Sequence, residues 1–318
     1  MLRLLVTGGS GFVGSNLLDK LAMRAEYQLI SADISMPLQE VSGVEYIKWD
    51  IRESYLDADK LGPIDCIIHL AALCKEPGYA WDEYFLTNHV GTKNVVDLAK
   101  KAGCKKIIFT STMMVFKSEN KPKYEASHLN PDTAYGISKA LAEIEIKKWS
   151  DSQDGSYYIL RPGVIYGNGD QGNFSTMISQ IKKGRFAYIG RSSTIKSTIY
   201  LEQCTDIICE IIQIPQRNRI YHLVYPEGTS IADLTHQISK TFGFAPVRIV
   251  IPFGIALIMG YVGEFLSSIG LKNKLHHRRI EKLYYDTDIR SVNLASDGIT
   301  CTWGLDDAIS DLKNKEKI

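Results

Sequence analysis

The chain has 318 residues, of which 45% are hydrophobic and 23% are charged, and its formal net charge is +1. This length fits one large domain or two modest ones, and the composition is that of a globular protein. A charge so close to zero excludes a general attraction to nucleic acid or to anionic membranes, and we expect neither as a partner. The start, MLRLLVTGG, runs directly into a predicted strand, so we expect no signal peptide. The six cysteines show no CxxC and no metal-ligand spacing, which predicts reduced thiols in a cytoplasmic protein and no metal site.

The first half of the chain alternates short β-rich runs with helical stretches. Strands are predicted, in chain order, at LRLLVTG, YQLISAD, VEYIKWD, DCIIHLAA, KKIIFTST and SYYILRP. Runs such as CIIHL and KIIFT are apolar on both faces, which is typical of strands buried between two helix layers. The alternation predicts an α/β fold with a Rossmann-type, doubly wound parallel sheet.

The strand–helix alternation loosens after RPGVIYGNGDQGNF. The runs STIYLEQCTDIICEIIQ and RIYHLV indicate a return to the sheet, and the chain from residue 226 onward is predicted to be mostly helical. We therefore predict a nucleotide-binding domain formed by residues 1–165 and return segments at about 194–224. Residues 166–193 and 225–318 are predicted to form a smaller, mostly helical substrate-binding domain.

The run VTGGSGFVGSNL places Gly8, Gly11 and Gly14 between the first predicted strand and the first predicted helix. Glycine allows a tight turn and a close approach of the backbone to a pyrophosphate, which then lies at the helix N-terminus. Asp33 ends the second predicted strand, where a carboxylate binds the adenosine ribose of a dinucleotide. A carboxylate there repels a 2′-phosphate and no arginine follows it, so the pattern favours NAD over NADP.

Several motifs together resemble a known family. TGGSGFVG, DIRE, HLAA, NHVGTKNVV, FTST, YGISK and LRPGVIYG occur in the order and spacing found in extended short-chain dehydrogenases/reductases. The chain is similar to the NAD-dependent epimerase/dehydratase group of that family, which acts on nucleotide sugars. The resemblance is strong up to about Gly167 and looser beyond.

The resemblance and the glycine turn imply three sets of functional residues. The catalytic set is Thr112, Tyr135 and Lys139. The cofactor-binding set is Gly8, Gly11, Phe12, Val13, Gly14, Asp33, Asp50, Ile51, Leu70, Ala71, Ala72, Asn88, Thr110, Tyr135, Lys139, Pro162 and Val164. The substrate-binding set is Thr112, Asn173 and Lys196. Asn173 and Lys196 fall where relatives contact the substrate diphosphate, and relatives commonly carry arginine at the position of Lys196.

Tyr135 and Lys139 are one helical turn apart, so their side chains share one face of a predicted helix. A free tyrosine has a pKa of about 10 and is a poor base at neutral pH. We expect the Lys139 cation to lower the pKa of Tyr135, with the positive nicotinamide of NAD adding to this effect. We expect Thr112 to hold the substrate oxygen whose proton Tyr135 removes. Taken alone, a surface Tyr–Lys pair also fits this spacing.

The reaction is narrowed by the two residues after Thr112. Relatives that dehydrate sugars carry an Asp-Glu pair there, whereas this chain has Met113 and Met114, which disfavours a dehydratase. A 4-epimerase and a 4-ketoreductase or dehydrogenase use the same three catalytic residues, and we favour the epimerase because Asp33 favours NAD. The run KSTIYLEQ and the apolar segment Ile249 to Leu266 also resemble the hydroxysteroid dehydrogenase branch, and a regulatory NAD-binding protein without catalysis remains a further alternative.

Two other stretches carry expectations. Pro252 and three glycines interrupt the apolar segment Ile249 to Leu266, and a bilayer span needs about 20 uninterrupted apolar residues, so we predict a buried or substrate-pocket helix. The basic run KNKLHHRRIEK, Lys272 to Lys282, is predicted to be a solvated helix face. The resemblance also implies a homodimer built from the helices Trp81–Lys101 and Tyr135–Trp149.

Overall fold

A parallel sheet of seven strands forms the centre of the protein. A computed structural model describes residues 1–53, 61–76, 78–170, 172–269 and 276–315. The strands of this sheet are β1 (Leu2–Thr7), β2 (Tyr27–Asp33), β3 (Val44–Lys48), β4 (Cys66–His69), β5 (Lys106–Thr110), β7 (Ser156–Pro162) and β11 (Arg219–Leu223). They lie in the order β3-β2-β1-β4-β5-β7-β11, and every neighbouring pair is parallel. The predicted Rossmann-type α/β fold is confirmed.

Helices cover the central sheet and form much of the C-terminal region. They are α1 (Phe12–Ala22), α2 (Trp81–Tyr84), α3 (Gly91–Lys101), α4 (Ala134–Gln153), α5 (Asn173–Lys182), α6 (Leu201–Gln213), α7 (Ile231–Phe242), α8 (Phe253–Ser268), α9 (His277–Tyr284), α10 (Asn293–Ser296) and α11 (Leu305–Lys315). A π-helical stretch, Phe85–Val90, joins α2 to α3, and a 3₁₀ turn, Met113–Val115, follows β5.

The two faces of the sheet carry separate apolar cores. Leu4 and Val6 of β1 pack with α1 and α6 on one face, whereas Leu5 packs with α3 and α4 on the other. Successive side chains of a strand point to opposite faces, and all three are completely buried. Burial on both faces of the sheet therefore explains the apolar runs in the sequence.

Short two-stranded sheets lie outside the central sheet. They pair β8 (Val164–Tyr166) with β10 (Thr198–Tyr200), β9 (Tyr188–Ile189) with β12 (Val250–Ile251), and β6 (Glu119–Lys123) with β13 (Thr287–Ile289). The predicted return to the sheet is therefore correct for β11 and wrong for β10. The chain leaves the central sheet at Gly163, which packs against the backbone of Ser197, because a Cβ at Gly163 would lie 2.4 Å from the Ser197 carbonyl oxygen. Strand β8 then pairs with β10, which directly follows Ser197.

Helix α8 is not the buried helix that was one of the two predictions for this apolar segment. Ala256 and Gly260 face inward, but Ile255, Ile258 and Phe265 are each more than half exposed. Within the part of the chain that the structure describes, the element that α8 contacts most extensively is α9, and apolar residues on the other side of α8 are exposed. Among the described residues, no helix is long and apolar enough to cross a membrane. The first part of the predicted basic face, at residues 272–275, lies outside the described residues.

Candidate active site

The glycine turn between β1 and α1 is closely packed on one side and open on the other. Gly8 has a φ of +75°, and a Cβ there would lie 2.6 Å from the backbone nitrogen of Ala71. A Cβ at Gly14 would lie 2.2 Å from the carbonyl oxygen of Gly8. At Gly11 a Cβ would meet only that same oxygen, at 3.2 Å, so the turn is accessible beside Gly11.

This open side exposes the first turn of α1. The helix begins at Phe12, and the first backbone N–H groups of a helix have no intrahelical acceptor. Gly11 has no side chain to cap Phe12, Val13 and Gly14. Such N–H groups, together with the helix dipole, bind a pyrophosphate well. The turn therefore fits the phosphates of NAD.

Asp33 lies at the C-terminal end of β2, beside the glycine turn. Its Oδ2 accepts a hydrogen bond from the backbone N–H of Ser10 at 3.0 Å, and its Oδ1 accepts one from Ser35 at 3.0 Å. Each carboxylate oxygen has further acceptor capacity, and the side chain is half-buried. Asp33 is thus held in the position from which a ribose hydroxyl can be bound.

Asp50 and Ile51 follow β3, next to Asp33. The Arg52 guanidinium forms a bidentate ion pair with Asp50, with an Nη2–Oδ2 distance of 2.5 Å, and this contact lowers the pKa of that carboxyl. Ile51 is buried, and a Cβ at Gly91 would lie 2.7 Å from its Cδ1. The glycine of NHVGTKNVV is therefore required by the close approach of α3 to the Ile51 side chain.

The predicted cofactor residues after β4 are held by a buried amide. Leu70, Ala71 and Ala72 are half-buried at the carboxyl end of β4. Asn88 is 1% exposed, and its amide bonds the N–H of Leu73 at 2.8 Å, the carbonyl of Leu73 at 3.0 Å and the hydroxyl of Ser138 at 3.0 Å. These three bonds use the Asn88 amide to position the loop, a role that the sequence did not predict.

The structure brings two of the three predicted catalytic residues close together. Thr112 precedes the 3₁₀ turn, and its Oγ1 accepts a hydrogen bond from the N–H of Met114 at 3.1 Å. The Thr112 hydroxyl lies close enough to the Tyr135 phenol to affect its pKa. A Cβ at Gly136 would lie 2.1 Å from the carbonyl oxygen of Met114, so the glycine of YGISK allows the turn to pack against the start of α4.

Lys139 lies one turn further along α4 than Tyr135. Its Nζ is 4.1 Å from the ring centroid of Phe109, and the residue is 1% exposed. Burial lowers the pKa of Lys139 to about 7. The amino group therefore changes protonation state near neutral pH, because a charge in this apolar setting has lost its hydration.

The expected acidification of Tyr135 is not found in the chain by itself. Burial raises the pKa of this phenol, while the hydrogen bond with Thr112 opposes that rise. Desolvation disfavours phenolate more than the neighbouring groups of the protein favour it. Lys139 does not offset this burial by itself, since burial also destabilises Lys139 as a cation. The expectation that Lys139 and the charge of bound NAD together lower the pKa of Tyr135 stays a prediction.

A buried ion pair that the sequence did not predict supports these residues. Glu143 lies one turn after Lys139 on α4 and is completely buried. Its two carboxylate oxygens accept hydrogen bonds from the Arg161 guanidinium at 2.9 and 2.7 Å, and Oε1 also accepts one from Ser111 at 2.6 Å. The pair thus joins α4 to β7 and to the residue before Thr112. A carboxylate one helical turn after Lys139, on the same face of the helix, was the available signal.

His69 forms a second buried polar link, at the end of β4. Its Nδ1 is 2.7 Å from the Thr7 hydroxyl, and its Nε2 is 3.0 Å from the Thr92 hydroxyl. Thr92 donates its own hydrogen to the carbonyl of Asn88, so His69 must donate from Nε2 and accept at Nδ1. Burial lowers the pKa of His69, and the nearby Lys139 amino group lowers it further, so the ring stays neutral.

The remaining predicted residues lie on different elements around this centre. Pro162 is buried at the end of β7, Val164 is half-buried in β8, and the Thr110 hydroxyl is buried without a hydrogen-bond partner. Asn173 is exposed at the first residue of α5. Lys196 donates to the carbonyls of Lys282 and Tyr285, both at 2.6 Å, and burial lowers its pKa to about 8.

The structure brings together three side chains of the types that bind metals, namely Glu264, His276 and His277. The sequence did not predict a metal site there. The Nδ1 atoms of both rings lie within 2.8 and 2.5 Å of Glu264 Oε1. All three ligand-type atoms lie within 4.8 Å of one another. The His–Glu contacts join the start of α9 to α8.

Comparisons with known proteins agree with this geometry. Residues 4–224 match the sequence profile of the NAD dependent epimerase/dehydratase family. A relative from Escherichia coli O157:H7, N-acetyl-alpha-D-glucosaminyl-diphospho-ditrans,octacis-undecaprenol 4-epimerase, is 26% identical over 95% of this chain and 92% of its own. UDP-glucose 4-epimerase from Vibrio cholerae is 26% identical over 74% of each chain.

A solved structure extends the comparison to the fold. UDP-glucuronic acid 4-epimerase from Bacillus cereus, in complex with NAD, has a TM-score of 0.77 over 99% of this chain and 98% of its own, at 20% identity. The likeness at this identity shows a shared fold. The profile match, which spans more than half of the chain, confirms the predicted enzyme class and its dependence on NAD. The chain belongs to the NAD dependent epimerase/dehydratase family.

Proposed function

We propose that the protein is an NAD-dependent 4-epimerase of a sugar that is linked to a diphosphate. The observation that carries this proposal is the close packing of the turn after Thr112 against the start of α4, where Tyr135 and Lys139 lie one helical turn apart. The proposal keeps the catalytic, cofactor-binding and substrate-binding residues that the sequence predicted. It also keeps the predicted division into a sheet domain and a C-terminal substrate domain.

The three side chains have separate tasks in this mechanism. Bound NAD supplies the acceptor and later the donor of the hydride exchanged with C4 of the sugar. Thr112 holds the C4 oxygen, because its Oγ1 is fixed by the N–H of Met114 and its hydrogen is free to turn towards substrate. Tyr135 exchanges the proton of that oxygen, and Lys139 orients the cofactor ribose and favours the charged phenol.

The raised pKa of Tyr135 shows what cofactor binding has to change before this phenol can lose its proton. Tyr135 holds its proton at Oη in the chain alone, because burial raises the pKa of the phenol. The positive charge of the oxidised nicotinamide favours phenolate when NAD is bound. Proton exchange at Tyr135 is thereby coupled to the oxidised state of the cofactor.

The substrate class is narrowed by the residues beside Thr112 and by the relatives. Met113 and Met114 offer no carboxylate for elimination of water, which favours epimerisation over dehydration. Relatives act, by their names, on sugars carried either by UDP or by undecaprenyl diphosphate. A sugar diphosphate is the chemistry shared by both.

The direct test supplies UDP-N-acetylglucosamine, UDP-glucose and N-acetylglucosaminyl diphosphoundecaprenol to the purified protein. We expect the C4 epimer of at least one substrate, identified by NMR, without net change in NADH. Denaturing fresh protein and quantifying the released nucleotide separates the second candidate, a 4-ketoreductase, because an epimerase retains NAD whereas a reductase consumes added NADH. Net oxidation of a sterol would instead support the hydroxysteroid alternative.

The proposed assembly is a homodimer of a cytoplasmic enzyme. The stretch from α2 to α3 exposes Trp81, Leu86 and Val90, and α4 exposes Ile144. These apolar side chains favour the two helical segments predicted for the interface. Light scattering at micromolar concentration is expected to give twice the mass of the chain, and monomer alone would refute the dimer.

A further inference from the structure

The outward face of α8 is a continuous apolar stripe. Ile255, Ile258, Val262 and Phe265 are spaced by three, four and three residues and are 51–65% exposed. Met259, in the same stripe, is 44% exposed. At about 1.5 Å per residue the stripe extends about 15 Å along the helix. We call these five residues the α8 face; polar residues normally occupy such positions on a solvated helix.

The α8 face is held outward by specific contacts on the opposite side of the helix. A Cβ at Gly260 would lie 2.8 Å from Cα of His277, so α8 and α9 cross closely. Tyr261 stacks on His277 with a centroid distance of 4.8 Å. Glu264 bonds the two adjacent histidine rings, so the carboxylate of α8 is directed towards α9 and away from the apolar stripe.

The helix next to α8 exposes basic side chains. Arg278 and Arg279 are exposed in the first turn of α9, which adjoins α8 at His277. An exposed apolar helix face and exposed arginines on the adjoining helix are both features of proteins that bind the surface of an anionic bilayer. Helix α8 has 16 residues and is too short to span a bilayer, which is consistent with binding parallel to the surface.

The α8–α9 pair also borders the candidate active site. Lys282 of α9 lines a cavity together with Met113 and Met114, the residues that follow Thr112. The carbonyl of Lys282 accepts a hydrogen bond from Lys196, the residue predicted to contact the substrate diphosphate. A surface bound to α8 would therefore lie at the same end of the molecule as the predicted diphosphate site.

We propose that the α8 face binds the surface of an anionic bilayer and that the enzyme thereby takes its sugar diphosphate from a polyprenyl carrier in that membrane. This proposal rests on the proposed 4-epimerase function and specifies its substrate class. The lipid chain stays in the bilayer, and the sugar and diphosphate reach the cleft beside Lys282. The proposal replaces the expectation, drawn from net charge, that the protein has no membrane partner.

Vesicle sedimentation tests the surface. The full-length protein is mixed with vesicles of phosphatidylglycerol and phosphatidylcholine, and with phosphatidylcholine vesicles alone. We expect binding to the anionic vesicles, at least a tenfold loss of binding in Ile258→Glu/Phe265→Glu, and a smaller loss in Arg278→Gln. The matched control Met23→Glu/Val292→Glu changes two exposed apolar residues on other elements and is expected to bind as wild type.

An activity assay separates this proposal from the function on which it rests. Wild type and Ile258→Glu/Phe265→Glu are assayed with N-acetylglucosaminyl diphosphoundecaprenol in vesicles and with a water-soluble, short-chain prenyl analogue. We expect the variant to lose at least tenfold activity in vesicles only. Equal vesicle binding, or equal loss with both substrates, overturns the membrane proposal. Epimerisation of UDP-sugars alone overturns the lipid carrier, and no epimerisation of any sugar diphosphate overturns the proposed function.

The same variant tests the alternative that a second copy of the chain covers the α8 face. Light scattering of wild type and variant, without vesicles, is expected to give the same mass. A lower mass for the variant overturns membrane docking and assigns the face to self-association. Because the substituted side chains are exposed, an unchanged thermal unfolding midpoint is the check that the variant is folded.

Discussion

The central sheet and the α8–α9 pair use apolar residues in opposite ways. In β1, Leu4, Leu5 and Val6 are completely buried because helices pack on both faces of the strand. In α8, Ile258 and Phe265 are each 65% exposed because α9 covers only one side of the helix. Similar composition thus has two outcomes, and the number of packed neighbours decides between them.

The two regions also hold their charged groups differently. Glu143 and Arg161 form an ion pair from which water is excluded, behind the predicted catalytic residues. Glu264 holds two histidines in a contact that solvent reaches. A partner lost from a buried pair leaves a charge without hydration, whereas an exposed group recovers its water. The sheet region is therefore expected to tolerate substitution less than the α8–α9 pair.

The largest expected effect is on turnover and belongs to the sheet region. Tyr135→Phe removes the hydroxyl that exchanges the proton, and general acid–base catalysis contributes about 10²–10⁴-fold in rate. We expect a loss of that size in kcat for epimerisation, with NAD still present after purification and denaturation. Retention of more than a tenth of the wild-type kcat would contradict the assignment of Tyr135.

The next effect is on the free energy of unfolding, and it contrasts the buried carboxylate Glu143 with the more exposed Glu264. Glu143→Gln leaves Arg161 buried without its counter-ion, which is expected to lower the free energy of unfolding by about 3–5 kcal/mol. Glu264→Gln, the matched change in α8, is expected to have a much smaller effect because solvent reaches that site. Denaturant unfolding of both variants measures the difference, and similar losses would show that the two regions do not differ in this way.

A smaller effect on stability is expected from replacing two glycines, each in the first turn of a helix. In Gly14→Ala the new Cβ would lie 2.2 Å from the Gly8 carbonyl, and we expect a loss of about 1–3 kcal/mol together with weaker NAD binding. In Gly254→Ala nothing lies within 4 Å of the new Cβ. Stability there is expected to stay the same or to rise by up to about 1 kcal/mol. Thermal unfolding decides, and destabilisation by Gly254→Ala would contradict the open setting of α8.

A further effect is a change of stability with pH. Burial lowers the pKa of Lys139 to about 7, so between about pH 7 and its unfolded value near 10.5 the unfolded chain binds the extra proton. The stability that Lys139 confers therefore rises with pH in that window, with a slope of at most about 1.4 kcal/mol per unit. Lys139→Met removes this slope, so its advantage over wild type is expected to be greatest near pH 7 and to shrink towards pH 10. A difference independent of pH would mean that Lys139 stays charged in the folded protein.

Much of the fold and part of the site were predictable from local patterns. The doubly apolar runs predicted the strands of the sheet, because burial on both faces imposes that composition on any strand. The glycine turn and the Tyr135–Lys139 spacing were predictable because each depends on residues close together in the chain. Asp33 was predictable because the dinucleotide motif places an acidic residue at the end of the second strand. The grouping of Thr112 with Tyr135 was implied by the family resemblance, since 23 positions separate them.

The strand–helix alternation and the doubly apolar strands were sufficient to predict a parallel sheet, and short-range geometry was sufficient to predict the dinucleotide turn and the helical turn between Tyr135 and Lys139. Three features could be read only from the folded protein: the direction of the Tyr135 pKa shift, the pairing of Glu143 with Arg161 and the exposure of α8. Each of these depends on how much water distant segments exclude from a side chain. That quantity is set by packing between elements far apart in the chain.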